Sequence, residues 1–238
     1  MSLPLVDILN GCFSLIFVCV SVVIGLKIAS KFFEIKQRMF ILVGLGWAGI
    51  CSPWWPSSIS FVCYLLTGKG LEPYIYFFIG NAFLHIFITL YLIGLTDMIF
   101  HNYQKLIVSI FVAVGVVFEI YFLYYLFTDT SQIGELKGLF DVTYKSIVML
   151  YLIFCMLSIF IPGILFALKT LKSESREVKL KGKLLVLAFF GYFFGAIFDA
   201  ALTLTPLILI LTRSILISSS ILFYLGFLLP NFIKKRMV

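Results

Sequence analysis

Seven stretches of this chain are each apolar for about 20 residues or more, the length an α-helix needs to cross a bilayer core of about 30 Å. They fall at about 8–29, 39–67, 73–99, 106–128, 144–168, 183–203 and 207–229, bounded by Lys, Asp, Glu, Pro or Gly. Together they take up most of the 238 residues, so no length is left for a folded water-soluble domain. The composition agrees, with 62% hydrophobic and 12% charged residues and a mean hydropathy of +1.14. Soluble domains carry about 45–50% apolar and about 25% charged residues. A soluble monomer and a disordered chain are both excluded. The expectation is an all-α integral membrane protein, a seven-transmembrane-helix bundle forming a single polytopic membrane domain over 1–238. Six spans with one re-entrant piece is the competing count. The second span is interrupted by Ser52-Pro53-Trp54-Trp55-Pro56. The sixth and seventh are joined only by Leu204-Thr205-Pro206, which predicts an antiparallel helical hairpin.

Charge sets the orientation. Fourteen basic residues lie in alternate loops and the tail: Lys27, Lys31, Lys36, Arg38, Lys105, Lys169, Lys172, Arg176, Lys179, Lys181, Lys183, Lys234, Lys235 and Arg236. Only Glu34, Asp97, Glu174 and Glu177 offset them. On the other side Lys69, Lys137 and Lys145 are outnumbered by Asp7, Glu72, Asp129, Glu135 and Asp141. The positive-inside rule then predicts the N-terminus outside and the C-terminus cytoplasmic, in the cell membrane. The net charge of +7 is therefore read as topology and attraction to anionic lipid, with no nucleic acid as partner. Residues 1–7 carry no basic charge, so the first span is expected to act as its own insertion signal. Cys12, Cys19, Cys51, Cys63 and Cys155 lie singly in apolar stretches, where cysteine behaves as a small hydrophobe; no metal site or disulfide framework is expected.

Ionisable and amide groups at membrane depth are costly and hence candidates for function. Asn81 and His85 stand one turn apart on the third span, Glu119 lies on the fourth, Asp199 on the sixth and Arg213 on the seventh. At 1.5 Å per residue, Asp199 and Arg213 come out about 6 and 9 Å below the outer ends of adjacent antiparallel helices. An ion pair between them is geometrically easy. Glu119 and Asn81 come out about 12 Å deep and His85 near mid-membrane. Two readings are open for each group. One is structural: a charge pair fixing register, or hydrogen bonds between helices. The other is a small outward-facing ligand pocket lined by Asn81, His85, Glu119, Asp199 and Arg213.

Two further features bear on packing. Gly191 and Gly195 form a GxxxG on the sixth span in line with Asp199, either letting a neighbouring helix approach closely or marking a homodimer face. Pro53 and Pro56 remove backbone donors and break the second span, which then has to be buried or line a cavity. Trp54 and Trp55 are expected in the outer aromatic belt, with the mouth of the pocket as the alternative.

Much chemistry is missing. A retinal Schiff base needs a lysine in the seventh span, and 207–229 holds only Arg213. No HExxH, GxSxG or P-loop occurs, and with two histidines a His-based metal centre is hard to build. The chain is expected not to be an enzyme and to carry no cofactor. A broken span keeps a small proton-coupled transporter or channel in view, with Asp199 as the coupling carboxylate.

The segments Ser52-Pro53-Trp54-Trp55-Pro56, Gly80-Asn81 and Gly226-Phe227-Leu228-Leu229-Pro230 are similar to stretches of uncharacterised archaeal seven-helix membrane proteins. In layout, with its basic 169–183 loop and short basic tail, the chain resembles the membrane sensor modules of histidine-kinase-type signalling proteins. It departs from them in having no effector after Val238, and from animal receptors in having Thr96-Asp97-Met98 where an acidic-Arg-Tyr triplet would follow the third span. The resemblance implies a receptor-like sensor that meets its ligand outside and passes a signal through the Lys169–Lys183 loop to a separate cytoplasmic partner.

Overall fold

The structure is a computed structural model that describes residues 3–202 and 205–230. Nine α-helices occur among the described residues: α1 (Leu5–Ile35), α2 (Arg38–Ile50), α3 (Trp55–Thr67), α4 (Pro73–Asn81), α5 (Leu84–Ile99), α6 (Gln104–Thr128), α7 (Ser146–Leu171), α8 (Arg176–Ala201) and α9 (Pro206–Leu228). Together they make seven segments long and apolar enough to cross a membrane, because α2 with α3 and α4 with α5 are single spans that break midway.

The first break is the predicted one. Cys51 ends α2, and a single 3-10 turn over Ser52–Trp54 leads into α3 with Pro56 in its opening turn. The second break, at Ala82-Phe83, has no proline. There Asn81, the last residue of α4, turns its amide back to donate to the Phe77 carbonyl, and Gly80 faces the ring of Pro56. An asparagine bonded to its own backbone competes with helix continuation. The two breaks therefore sit side by side.

A feature outside the all-α expectation lies between α6 and α7. Strands β1 (Gly134–Lys137) and β2 (Asp141–Tyr144) pair antiparallel, Glu135 opposite Thr143 and Leu136 opposite Val142. The hairpin is anchored over the ends of α1, α3 and α4. Ser60 Oγ donates to the Leu139 carbonyl, and Asn10 Nδ2 and Tyr76 OH both donate to that of Phe140. The Phe140 ring is fully buried, edge-on to Phe61 at 5.6 Å and to Tyr64 at 6.1 Å. The end of the bundle that the strands cover is termed the hairpin end. The opposite end carries Lys36, Arg38, Lys105 and the α7–α8 turn, and is termed the basic end.

Six helical segments close a ring in the order α1, α2, α5, α7, α8, α9 and back to α1. Helix α6 stays outside it, packed chiefly on α5. Of the predicted Leu204-Thr205-Pro206 connection, Leu204 lies outside the described residues, as does the tail with Lys234, Lys235 and Arg236. The helical hairpin itself is present: Gly191 faces Ser219, Gly195 faces Leu216 and Gly226 faces Leu185, an antiparallel register. The GxxxG face is thus covered by α9, and a Cβ at Gly191 would run into the Ser219 hydroxyl. Toward the basic end the interior is filled. Trp47 stacks on Phe223 at 3.6 Å, and Tyr91, Leu95 and Phe189 are buried around them.

Candidate functional site

Arg213 enters the interior about two turns into α9 and is only 3% exposed. Its Nε lies 3.2 Å from Asp199 Oδ1 near the end of α8, the pair expected from depth alone. More holds it than one carboxylate. Its Nη2 donates to Asn10 Oδ1 at 3.0 Å, and its Cζ lies over the Trp54 ring at 5.8 Å. Asp199 in turn accepts from Trp54 Nε1 at 2.8 Å and from the Thr212 hydroxyl at 3.3 Å. Asn10 also accepts from Ser14 and donates to the hairpin carbonyl of Phe140. One polar network therefore links α1, the break before α3, the β-hairpin, α8 and α9. Buried polar groups need partners, and a network that supplies them also fixes the helices' register.

One position in it is unfilled. Arg213 Nη1 is buried with no hydrogen-bond partner, and Nε, though close to Asp199, is not aligned for a hydrogen bond. The same residue lines a cavity of about 640 Å³ in the hairpin half of the ring. Its polar lining includes Asp7, Asn10, Asp141 and Asp199; its aromatic lining includes Trp54, Tyr76, Tyr144 and Tyr192. Apolar side chains such as Ile88, Leu152 and Met156 make up the remaining wall. Cavities that hold small ligands have this character: mostly apolar, with a few convergent polar groups.

The five residues expected to share one pocket divide into three places. Asp199 and Arg213 line the cavity. Asn81 is buried one layer behind it, donating to the hydroxyl of Tyr144, which does line it. His85 and Glu119 do not line it. They face each other across α5 and α6, Nδ1 to Oε2 at 3.4 Å, each about one-fifth exposed. Glu119 has no partner within its own span, so its partner lies on the neighbouring one. The division follows from the ring: α6 packs against its outside, and no α6 residue lines the cavity. Trp54 is also corrected. It is buried, edge-on to Phe17 at 5.1 Å, and binds Asp199 instead of standing in an aromatic belt.

Sequence reasoning missed Asn10, Asp7 and Asp141. Asn10 carried the same signal as Asn81, an amide inside an apolar run. The two aspartates read as loop charges, because nothing in the sequence shows that 134–144 folds back over the cavity. Burial, with the nearby charge of Asp199, raises the Asp141 carboxyl above its ordinary value. A raised carboxyl loses stability as pH rises through its native value and loses none below its unfolded one. Asp141→Asn keeps an acceptor for the Val142 amide, which donates to this side chain at 2.8 Å. The variant is expected to melt a few degrees higher than wild type at neutral pH and at the same temperature once both carboxyls are protonated. Thermal unfolding in detergent against pH measures this, and a constant difference at every pH contradicts it.

Comparison with known proteins finds no matching family, no similar curated protein and no similar solved structure.

Proposed function

We propose that this is a receptor-like protein of the cell membrane that senses a small ligand or its environment from the outer face and signals through a separate cytoplasmic partner. The observation that carries this reading is the cavity lined by Arg213 and by residues of the β-hairpin, with the interior toward the basic end filled by buried side chains that include the Trp47–Phe223 stack. A cavity with a filled interior beneath it would bind and release on the same side, as a receptor does. Membrane insertion is supported by the bundle's outer surface, where Leu66 on α3 and Val117 and Phe127 on α6 are 80%, 70% and 73% exposed, apolar area that lipid would cover. The excess of Lys and Arg at the basic end supports the N-out orientation.

Helices α7 and α8 give the signal a path. Both line the cavity with residues from their hairpin-end halves, and their other ends meet in the basic 169–183 loop. A ligand shifts such a bundle only by binding two arrangements unequally. The misaligned Asp199–Arg213 contact and the break at Cys51–Trp54 are the parts with a second arrangement available. The partner is expected at the Lys169–Lys183 loop. A homodimer would use a face other than the GxxxG.

The test is flux. The full chain reconstituted in liposomes is expected to move neither protons nor solute faster than empty vesicles. Proton flux that Asp199→Asn abolishes would overturn the receptor reading in favour of a proton-coupled transporter.

A further inference from the structure

The cavity contains more negative charge than its own residues neutralise. Of its three carboxylates, Asp199 is occupied by Arg213, Trp54 and Thr212. Asp141 accepts only from the backbone amide of Val142 and forms no ion pair among the described residues. Asp7 makes no side-chain hydrogen bond or ion pair among them, and its carboxylate sits against the hairpin turn, where a Cβ at Gly138 would be 3.4 Å away. Lys137 lines the cavity too, opposite Asp141 in the strand register; its charge favours the Asp141 carboxylate, with no ion pair between them. The lining's three aspartates against Lys137 and Arg213 leave one negative charge in surplus, and neither Asp7 nor Asp141 is in an ion pair among the described residues. The cavity's interior presents one guanidinium nitrogen free of an acceptor.

Those vacancies are complementary to one kind of molecule. A buried donor without an acceptor is unfavourable, so the occupant needs an acceptor atom for Arg213 Nη1. Carboxylates outside any ion pair, with Tyr76 and Tyr144 close to Asp141, favour a positive group that gains from both charge and aromatic faces. The remaining wall asks for an apolar body. A simple carboxylic acid would satisfy Arg213 but add to the surplus of negative charge, and a hydrocarbon would satisfy neither end. We infer that the cavity takes a small amphiphilic amine that also bears a hydroxyl, carbonyl or carboxylate: the amine at Asp7 and Asp141, the acceptor at Arg213, the apolar part between. This rests on the receptor reading only in that the cavity holds a ligand; a transported substrate would need the same chemistry.

Three probes that share a phenyl body separate the contributions: phenylalaninol with both groups, phenethylamine with the amine alone, and 3-phenylpropionate with the acceptor alone. Binding to the full chain in detergent, followed by calorimetry, is expected to be tightest for phenylalaninol, intermediate for phenethylamine and at least tenfold weaker for 3-phenylpropionate. Asp141→Asn and Asp7→Asn are each expected to weaken both amines severalfold and to leave 3-phenylpropionate unchanged or improved. The acceptor is tested on the ligand side, because Arg213 variants also disturb the fold. The ligand class is overturned if 3-phenylpropionate binds as tightly as phenylalaninol, if no probe binds, or if both aspartate variants retain wild-type affinity for the amines. The two proposals fail separately. Phenylalaninol flux through proteoliposomes sinks the receptor and spares the ligand class, while tight 3-phenylpropionate binding without flux does the reverse.

Discussion

Arg213→Leu is expected to destabilise the bundle by about 3–5 kcal/mol, the usual result of stranding one member of a buried ion pair. The stranded group is Asp199, left with only Trp54 Nε1 and the Thr212 hydroxyl to offset its charge. Asn10 Oδ1 loses its Arg213 donor but keeps that of Ser14. Adding Asp199→Leu removes the isolated charge, and apolar replacement of a whole pair is often nearly neutral. The double variant still leaves the Trp54 indole without its acceptor, a loss of about 1 kcal/mol. It should therefore melt between wild type and Arg213→Leu. Thermal unfolding of the two singles and the double, closed as a cycle, reads the coupling directly. If Arg213→Leu and the double variant melt together, the 3.2 Å contact contributes nothing and the network is held by Asn10 and Trp54 alone.

Phe140→Ala is expected to be comparably damaging, about 3–5 kcal/mol, but local. A fully buried phenylalanine leaves a cavity on truncation that its surroundings fill only in part. Here it also gives up edge-to-face contacts with Phe61 and Tyr64. What Phe140 holds is the hairpin turn, whose carbonyls are bonded to Ser60, Asn10 and Tyr76. Regions of a protein open with their own free energies, and the other apolar side chains of strands β1 and β2, Leu136, Val142 and Tyr144, are only partly buried. Hydrogen exchange should accelerate across 134–144 while α8 and α9 keep wild-type protection. Uniform acceleration throughout the bundle would mean that the hairpin is not a separate unit.

The seven apolar segments were legible because membrane crossing needs length and hydropathy, which a sequence displays openly. The Asp199–Arg213 contact was legible for a related reason: a short connection and a fixed rise per residue place two charges at one depth. His85 and Glu119 also come out at similar depth, yet depth says nothing about which helices are neighbours around the ring. The sequence therefore could not distinguish five residues in one cavity from three separate locations. The break at Ala82-Phe83 escaped because no proline marks it, only an asparagine whose alternative bond to Phe77 depends on local geometry. The hairpin escaped because Gly134–Tyr144 is short and mixed in character. Its contribution comes from Phe140 finding a slot between helices far away in sequence.

The position of α6 has a topological consequence. Chains threading a membrane alternate direction, so odd-numbered crossings run one way and even-numbered ones the other. The crossing formed by α4 and α5 and the crossing formed by α7 are neighbours in the ring and run the same way, from the hairpin end to the basic end. Parallel neighbours cannot be joined by a short turn; the polypeptide has to travel back between them. That return journey is α6, a traverse imposed by parity rather than by packing. Its sequence is thus released from lining the cavity, and its one acidic residue, Glu119, faces His85 on α5.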